Sequence, residues 1–104
     1  MDLSQAIGQV DPAAAAYVVG PADGSYQYKG SARNLQERLK DHLAGRVSRT
    51  KNRRPLVLLF FRYFPDYTTA REFENHLKSG AGREWLNSHL LQTGQTVPPQ
   101  ADPP

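Results

Sequence analysis

The run Leu56–Phe64 constrains this chain more than any other stretch. It is almost wholly apolar or aromatic and lies between Pro55 and the turn Pro65-Asp66-Tyr67. Its length suits a strand and falls far short of a membrane span, so it reads as the central strand of a sheet. The neighbouring segments supply partners for it. Ala16-Tyr17-Val18-Val19 is a β-prone run, and Gly20-Pro21-Ala22-Asp23-Gly24 is dense turn chemistry. Tyr26-Gln27-Tyr28 alternates, which puts both tyrosines on one face of a second strand. The two segments read as a hairpin.

Helical signals fill the rest. Asn34 with Glu37 three residues on fits a capping arrangement, and Leu35, Leu39 and Leu43 form a stripe that Gly45 ends. Arg46–Arg54 has no periodicity and reads as a loop. Thr68 or Thr69 can cap a second helix with Ala70, Phe73 and Leu77 inward, ending at Ser79-Gly80. A third helix is expected over Gly82–Leu91, with Trp85, Leu86 and Leu90 inward. A short helix can precede Asp11-Pro12. The order β-β-α-β-α-α implies an α+β fold, a small three-stranded antiparallel sheet flanked by helices. With 104 residues there is room for one domain. The expected layout is an N-terminal segment over residues 1–12, the domain over 13–92, and a disordered Pro-rich tail over 93–104.

Charge is distributed unevenly. Net charge is only +3, yet Lys29, Arg33, Arg38, Lys40, Arg46, Arg49, Lys51, Arg53 and Arg54 fall in one stretch holding two acids, Glu37 and Asp41. Such a block suits a polyanion-binding face, because each neutralised phosphate releases counterions. It equally suits a solvated surface that keeps a small protein soluble. The absence of cysteine excludes disulfides and thiolate metal sites. No signal peptide or membrane span is read, so a cytoplasmic protein is expected.

Several side chains could carry chemistry. Arg38 and His42 are spaced i, i+4, on a face beside the leucine stripe. Arginine grips phosphoryl groups, and a neutral histidine can move a proton. Glu74 sits at the boundary of the second helix's apolar face, where one carboxylate can give an oxygen ligand to Mg²⁺ or Mn²⁺. It could equally be a surface i, i+4 partner of Lys78. Tyr17 and Tyr28 could orient or deprotonate a water, or simply pack across strands. Periodicity does not choose between Tyr26 and Tyr28. His76 and His89 lack the companions that a zinc site needs.

Taken in order, these segments resemble the GIY-YIG nuclease superfamily, particularly its small stand-alone members, over about Tyr17 to Leu86. Ala16-Tyr17-Val18-Val19 is similar to the first signature, and Tyr28-Lys29-Gly30 to the second. Asn34–His42 matches the family's helix, with Arg38 and His42 at its functional positions. Thr50-Lys51-Asn52-Arg53-Arg54-Pro55-Leu56 is similar to the loop into the family's central strand. Ala70–Gly80 matches the metal-ligand helix and places the ligand at Glu74 rather than Glu72. Gly82-Arg83-Glu84-Trp85-Leu86 is similar to the closing segment. There are departures. Ala15 and Ala16 stand where a glycine opens the first signature, and Lys29 replaces an apolar residue. Arg62 occupies a typically acidic position, and Asn87 is the nearest counterpart of a late asparagine.

The resemblance implies a metal-dependent endonuclease that hydrolyses DNA phosphodiester bonds, in repair or recombination, with Mg²⁺ or Mn²⁺ at Glu74. It implies that Arg38 stabilises the phosphoryl oxygens. Tyr17 accepts a proton from the attacking water or positions it, Tyr28 supports it, and His42 relays the proton or binds phosphate. For Tyr17 to act as a base near neutral pH, nearby cations must lower its pKa. Lys29, Arg33, Arg46, Arg49, Lys51, Arg53 and Arg54 are the expected nucleic-acid contacts. Specificity must come from this domain, a homodimer or a partner protein. The alternative is a non-catalytic nucleic-acid-binding module on the same fold. A third reading is an interaction domain with a solvated basic segment.

Overall fold

A computed structural model describes residues 1–93 of the chain, and the expected tail beyond Thr93 lies outside them. The elements run α1 (Leu3–Ile7), β1 (Ala15–Gly20), β2 (Tyr28–Ala32), α2 (Leu35–Leu43), a 3₁₀ turn (Lys51–Arg53), β3 (Val57–Tyr63), α3 (Tyr67–Lys78) and α4 (Gly80–Thr93). The three strands form an antiparallel sheet in the order β2-β1-β3. The α+β architecture matches the expectation from sequence.

One expectation about the sheet is corrected. The apolar run ending at Phe64 is not the central strand; β1 is, with all six of its residues buried. β3 lies at the side, where the first residues of the chain cover its outer edge. The Leu58 amide donates to the Met1 carbonyl at 2.9 Å, and Asp2 bridges Val57. β3 is apolar because both its faces meet packed layers, which an outer strand can do as well as a middle one.

Alternation along the strands sorts the core into two layers. Ala15, Tyr17 and Val19 pack with Leu3, Ala6, Leu35 and Leu39 on the α1/α2 side. Ala16, Val18 and Phe60 pack with Phe73, Leu77 and Leu86 on the α3/α4 side. The family of inward positions on α2 differs from the expected stripe. Leu35, Leu39 and His42 are buried, whereas Leu43 is 43% exposed. The i, i+4, i+7 row faces the sheet and Leu43 falls off it.

The helix ends have identifiable causes. Asn34 caps α2 as expected, accepting from the Glu37 amide at 3.0 Å, and Gly45 follows the helix at φ +78°. For α3 neither Thr68 nor Thr69 is the cap. Asp66 is, and its carboxylate accepts from the amide and hydroxyl of Thr69, each at 2.8 Å. Ser79 separates α3 from α4, bonding to the His76 carbonyl and accepting from the Gly82 amide. A Cβ on Gly82 would meet the His76 carbonyl oxygen at 1.8 Å, so this joint requires glycine. α4 starts two residues earlier, and ends two residues later, than expected.

Asp66→Ala should lower stability by about 1 kcal/mol through loss of the α3 cap. Urea denaturation followed by circular dichroism measures it, and an unchanged midpoint would show that the cap contributes nothing.

Candidate active site

The site is built from the middle of the sheet outward. Tyr17 on β1 pairs with Gly30 on β2, and its ring lies over that glycine. A Cβ at position 30 would stand 2.6 Å from both Cζ and the hydroxyl oxygen of Tyr17. The glycine is therefore a seat for the phenol. The Tyr17 hydroxyl lies 2.8 Å from His42 Nε2, and His42 Nδ1 lies 2.8 Å from Thr50 Oγ1. All three residues have no exposed surface.

The direction of this chain of hydrogen bonds follows from its end. Thr50 Oγ1 is placed to donate to the Val47 carbonyl, at a long 3.5 Å. It then accepts from His42 Nδ1–H, which leaves Nε2 to accept the Tyr17 proton. His42 is a neutral imidazole here. Burial pushes its pKa from 6.5 to about 4, the nearby Arg38 charge adds to that, and Asp41 opposes it.

Tyr28 closes the cluster, its ring centroid 6.3 Å from Tyr17 and 5.2 Å from His42. It is Tyr28, the first residue of β2, that joins Tyr17. Tyr26 precedes the strand and carries the Arg53 guanidinium over its ring at 4.1 Å. Arg38 approaches both phenols. Burial works against its charge, but the hydroxyls of Tyr17 and Tyr28 outweigh this and hold its proton more tightly than usual.

The expectation that cations lower the Tyr17 pKa is overturned. Burial raises it well above the ordinary phenol value, and the hydrogen bond from Arg38 opposes that without winning. The charges of Tyr28 and Glu74 raise it further. Tyr17 is thus a buried neutral phenol, whereas Tyr28 is partly exposed.

Glu74 comes from the opposite face of the sheet. It projects from α3 toward β2, where its Oε1 accepts from the Ser31 hydroxyl at 2.6 Å. Ser31 alternates with Gly30, so one strand presents the phenol on one face and the carboxylate on the other. Oε2 is taken by Lys78 Nζ at 2.5 Å, and the Glu74 side chain is only 15% exposed. The i, i+4 pairing with Lys78 is present, and the same carboxylate also bonds Ser31 on β2.

The donor set suits a hard cation bound by one carboxylate. Among the described residues no group of three or more His, Cys, Asp or Glu could cage a metal. A single carboxylate with water and phosphate is the usual arrangement for Mg²⁺.

The basic residues divide by use. Arg54 is bound to the Leu43 and Lys51 carbonyls, and Arg46 to Asp41 at 2.9 Å. They tie the loop together. Arg33 lies over the Tyr67 ring at 4.5 Å, Lys51 is exposed, and Arg49 and Lys29 line a cleft beside Tyr28. Arg62 sits apart, over the rings of Phe64 and Phe73, and Asn87 is exposed on α4. Sequence reasoning missed Thr50 and Ser31. Both are small hydroxyl residues in polar segments, with no local pattern to mark them.

Two outcomes test this geometry. An imidazole with a depressed pKa stabilises fully above pH 6.5, and that contribution is lost as pH falls toward 4. Roughly 3 kcal/mol is at stake. His42→Gln should flatten the dependence of urea stability on pH across that window; equal slopes would contradict a neutral buried His42. Gly30→Ala should displace the Tyr17 ring and destabilise by about 1–3 kcal/mol. A crystal structure of the variant with Tyr17 still bonded to His42 would show that the seat has slack.

The model of the family described as the GIY-YIG catalytic domain matches residues 14–89. The chain is similar to a UPF0213 protein of Bacillus cereus, 36% identical over 63 residues, which are 60% of this chain and 65% of that protein. It is also similar to a UPF0213 protein of Lactiplantibacillus plantarum, 35% identical over 79 residues, 70% of this chain and 77% of the other. The chain thus spans just under two thirds of the length of the Bacillus relatives it matches. No solved structure matches it at comparable stringency.

Proposed function

The chain belongs to the GIY-YIG catalytic domain family, a nuclease family, and from that premise we propose that it is a divalent-metal-dependent endonuclease acting on DNA. The observation that carries this reading is the convergence on β2, the strand at the side of the sheet. Tyr28 and Arg38 reach it from one face of the sheet and Glu74 from the other, close enough for the Glu74 charge to act on Tyr17.

The residues divide the work by exposure. Tyr28, partly exposed, orients the attacking water beside the phosphate. Arg38, beside the two phenols and 3.7 Å from Asp41 Oδ2, meets the phosphoryl oxygens where charge develops. Tyr17 is too deeply buried to meet that water, so the role expected of it passes to Tyr28. Tyr17, His42 and Thr50 form the rigid backing that fixes Arg38 and Tyr28 in place. Glu74 would hold Mg²⁺ or Mn²⁺, which supplies Lewis acidity at the phosphoryl and leaving oxygens. Arg33, Arg49, Lys51 and Arg53 contact the nucleic-acid backbone.

A non-catalytic binding module on the same fold is the second reading. The observation on its side is the Lys78 ammonium occupying Glu74 Oε2.

Purified protein with Mg²⁺ or Mn²⁺ should nick DNA, assayed on plain, nicked and branched duplexes. Glu74→Ala and Arg38→Ala should abolish nicking, and Tyr28→Phe should cost more activity than Tyr17→Phe. Nicking unchanged in Glu74→Ala and Arg38→Ala would sink the proposal. Salt-sensitive binding without cleavage under any metal would favour the second reading.

A further inference from the structure

Lys29 alternates with Tyr28, so it leaves β2 on the face that carries Ser31 and meets α3 and α4. There it lines a cleft of about 370 Å³ with Arg49 from the basic loop, Lys78 from the end of α3 and Arg83 from α4. Tyr26, Gln27 and Tyr28 complete the walls, and no acidic residue lines them. Lys29, Arg49 and Arg83 have no ion-pair partner among the described residues. Burial, then the charges of Arg83 and Lys78, depress the Lys29 pKa. Four cations from four parts of the chain thus converge, and of them Lys78 alone has a counter-charge, Glu74, which lies outside the cleft lining. A tetrahedral anion would relieve their repulsion.

The placement of the cleft indicates which anion. α3 runs antiparallel along β2. Tyr67 stands under Arg33, Glu74 bonds Ser31, and Lys78 reaches the Lys29 cleft. Lys29 and Ser31 are two residues apart on one strand face, a separation of about 7 Å. That is comparable with the step between consecutive phosphates of one nucleic-acid strand.

We infer that this cleft binds an internal backbone phosphate next to the scissile one, and that this phosphate draws Lys78 away from Glu74. The position relative to the cut bond rests on the nuclease reading of Glu74; the phosphate site itself does not. Lys78 is the shared member. It lines the cleft and also bonds Glu74 Oε2, with its side chain 53% exposed. A phosphate in the cleft competes for its ammonium, and Glu74 regains an oxygen for a cation. Nucleic acid and metal then bind with positive coupling, each tightening the other by the same factor. Lys78 is a positioning residue in this scheme, acting through Glu74.

Two measurements test it. The first is fluorescence anisotropy of a short hydroxyl-ended duplex without metal, across a salt series. Lys29→Ala with Arg83→Ala should weaken binding roughly tenfold and lower the salt slope by about 1. Lys29→Arg alone should keep the wild-type slope, and thermal melts should show both proteins folded. An unchanged slope in the double variant overturns the phosphate site. The second is Mn²⁺ binding by electron paramagnetic resonance in an Arg38→Ala background, which is expected not to turn over. Adding the duplex should tighten Mn²⁺ binding several-fold. Lys78→Gln should bind Mn²⁺ more tightly without DNA and gain a smaller factor from it than the Lys78 protein does. Equal Mn²⁺ affinity with and without the Lys78 charge overturns the competition. Nicking by a double variant with an unchanged slope would leave the nuclease reading and remove the cleft. A lowered slope in a protein that never nicks would do the reverse.

Discussion

The hydrogen-bonded line from Tyr17 through His42 to Thr50 is the interaction on which the site depends. It joins the central strand to α2, 25 residues away, and α2 to the basic loop that follows it. His42 and Thr50 are the buried polar residues of the described chain, and each ring nitrogen and hydroxyl in the line has a partner. Satisfied networks of this kind hold one arrangement, because any slip leaves a buried polar atom unpaired. Gly30 gives the line its starting position by letting the phenol ring lie on β2.

Around that line, chemistry is gathered at a sheet edge rather than in a deep pocket. β1 is covered on both faces and both sides, and β3 is covered outside by the start of the chain. Among the described residues no strand pairs with the outer side of β2. Alternation along its few residues sends Tyr28 and Gly30 to one layer and Lys29 and Ser31 to the other. Groups from two separate cores therefore meet at one strand.

Much of this was legible in the sequence. The elements and their order followed from periodicity, turn residues and capping, since those signals are local. Asn34 and Gly45 acted as their residue types suggest. Strand order was not legible, because an apolar run such as Val57–Tyr63 is equally suited to the middle of a sheet and to a side strand with a covered edge. Leu43 and His42 exchanged places because hydrophobicity alone ranks leucine as the inward residue, and only the Tyr17 and Thr50 partners make a buried histidine favourable. Of the candidate residues, Tyr17, Tyr28, Arg38 and His42 form one cluster, with Glu74 across β2. The direction of the Tyr17 shift could not be read from charge count, because burial is a property of the packed core and here it exceeds the pull of Arg38.

The basic loop is unusually well tied for a segment without regular structure. Arg54 reaches back to the Leu43 and Lys51 carbonyls, Thr50 is anchored in the core, and Arg53 rests on Tyr26. A cationic loop fixed in this way has already lost most of its conformational freedom before it meets a polyanion. Under the proposed function, the bend and groove width of the nucleic acid would have to suit the loop, and selectivity would arise from how easily a substrate deforms.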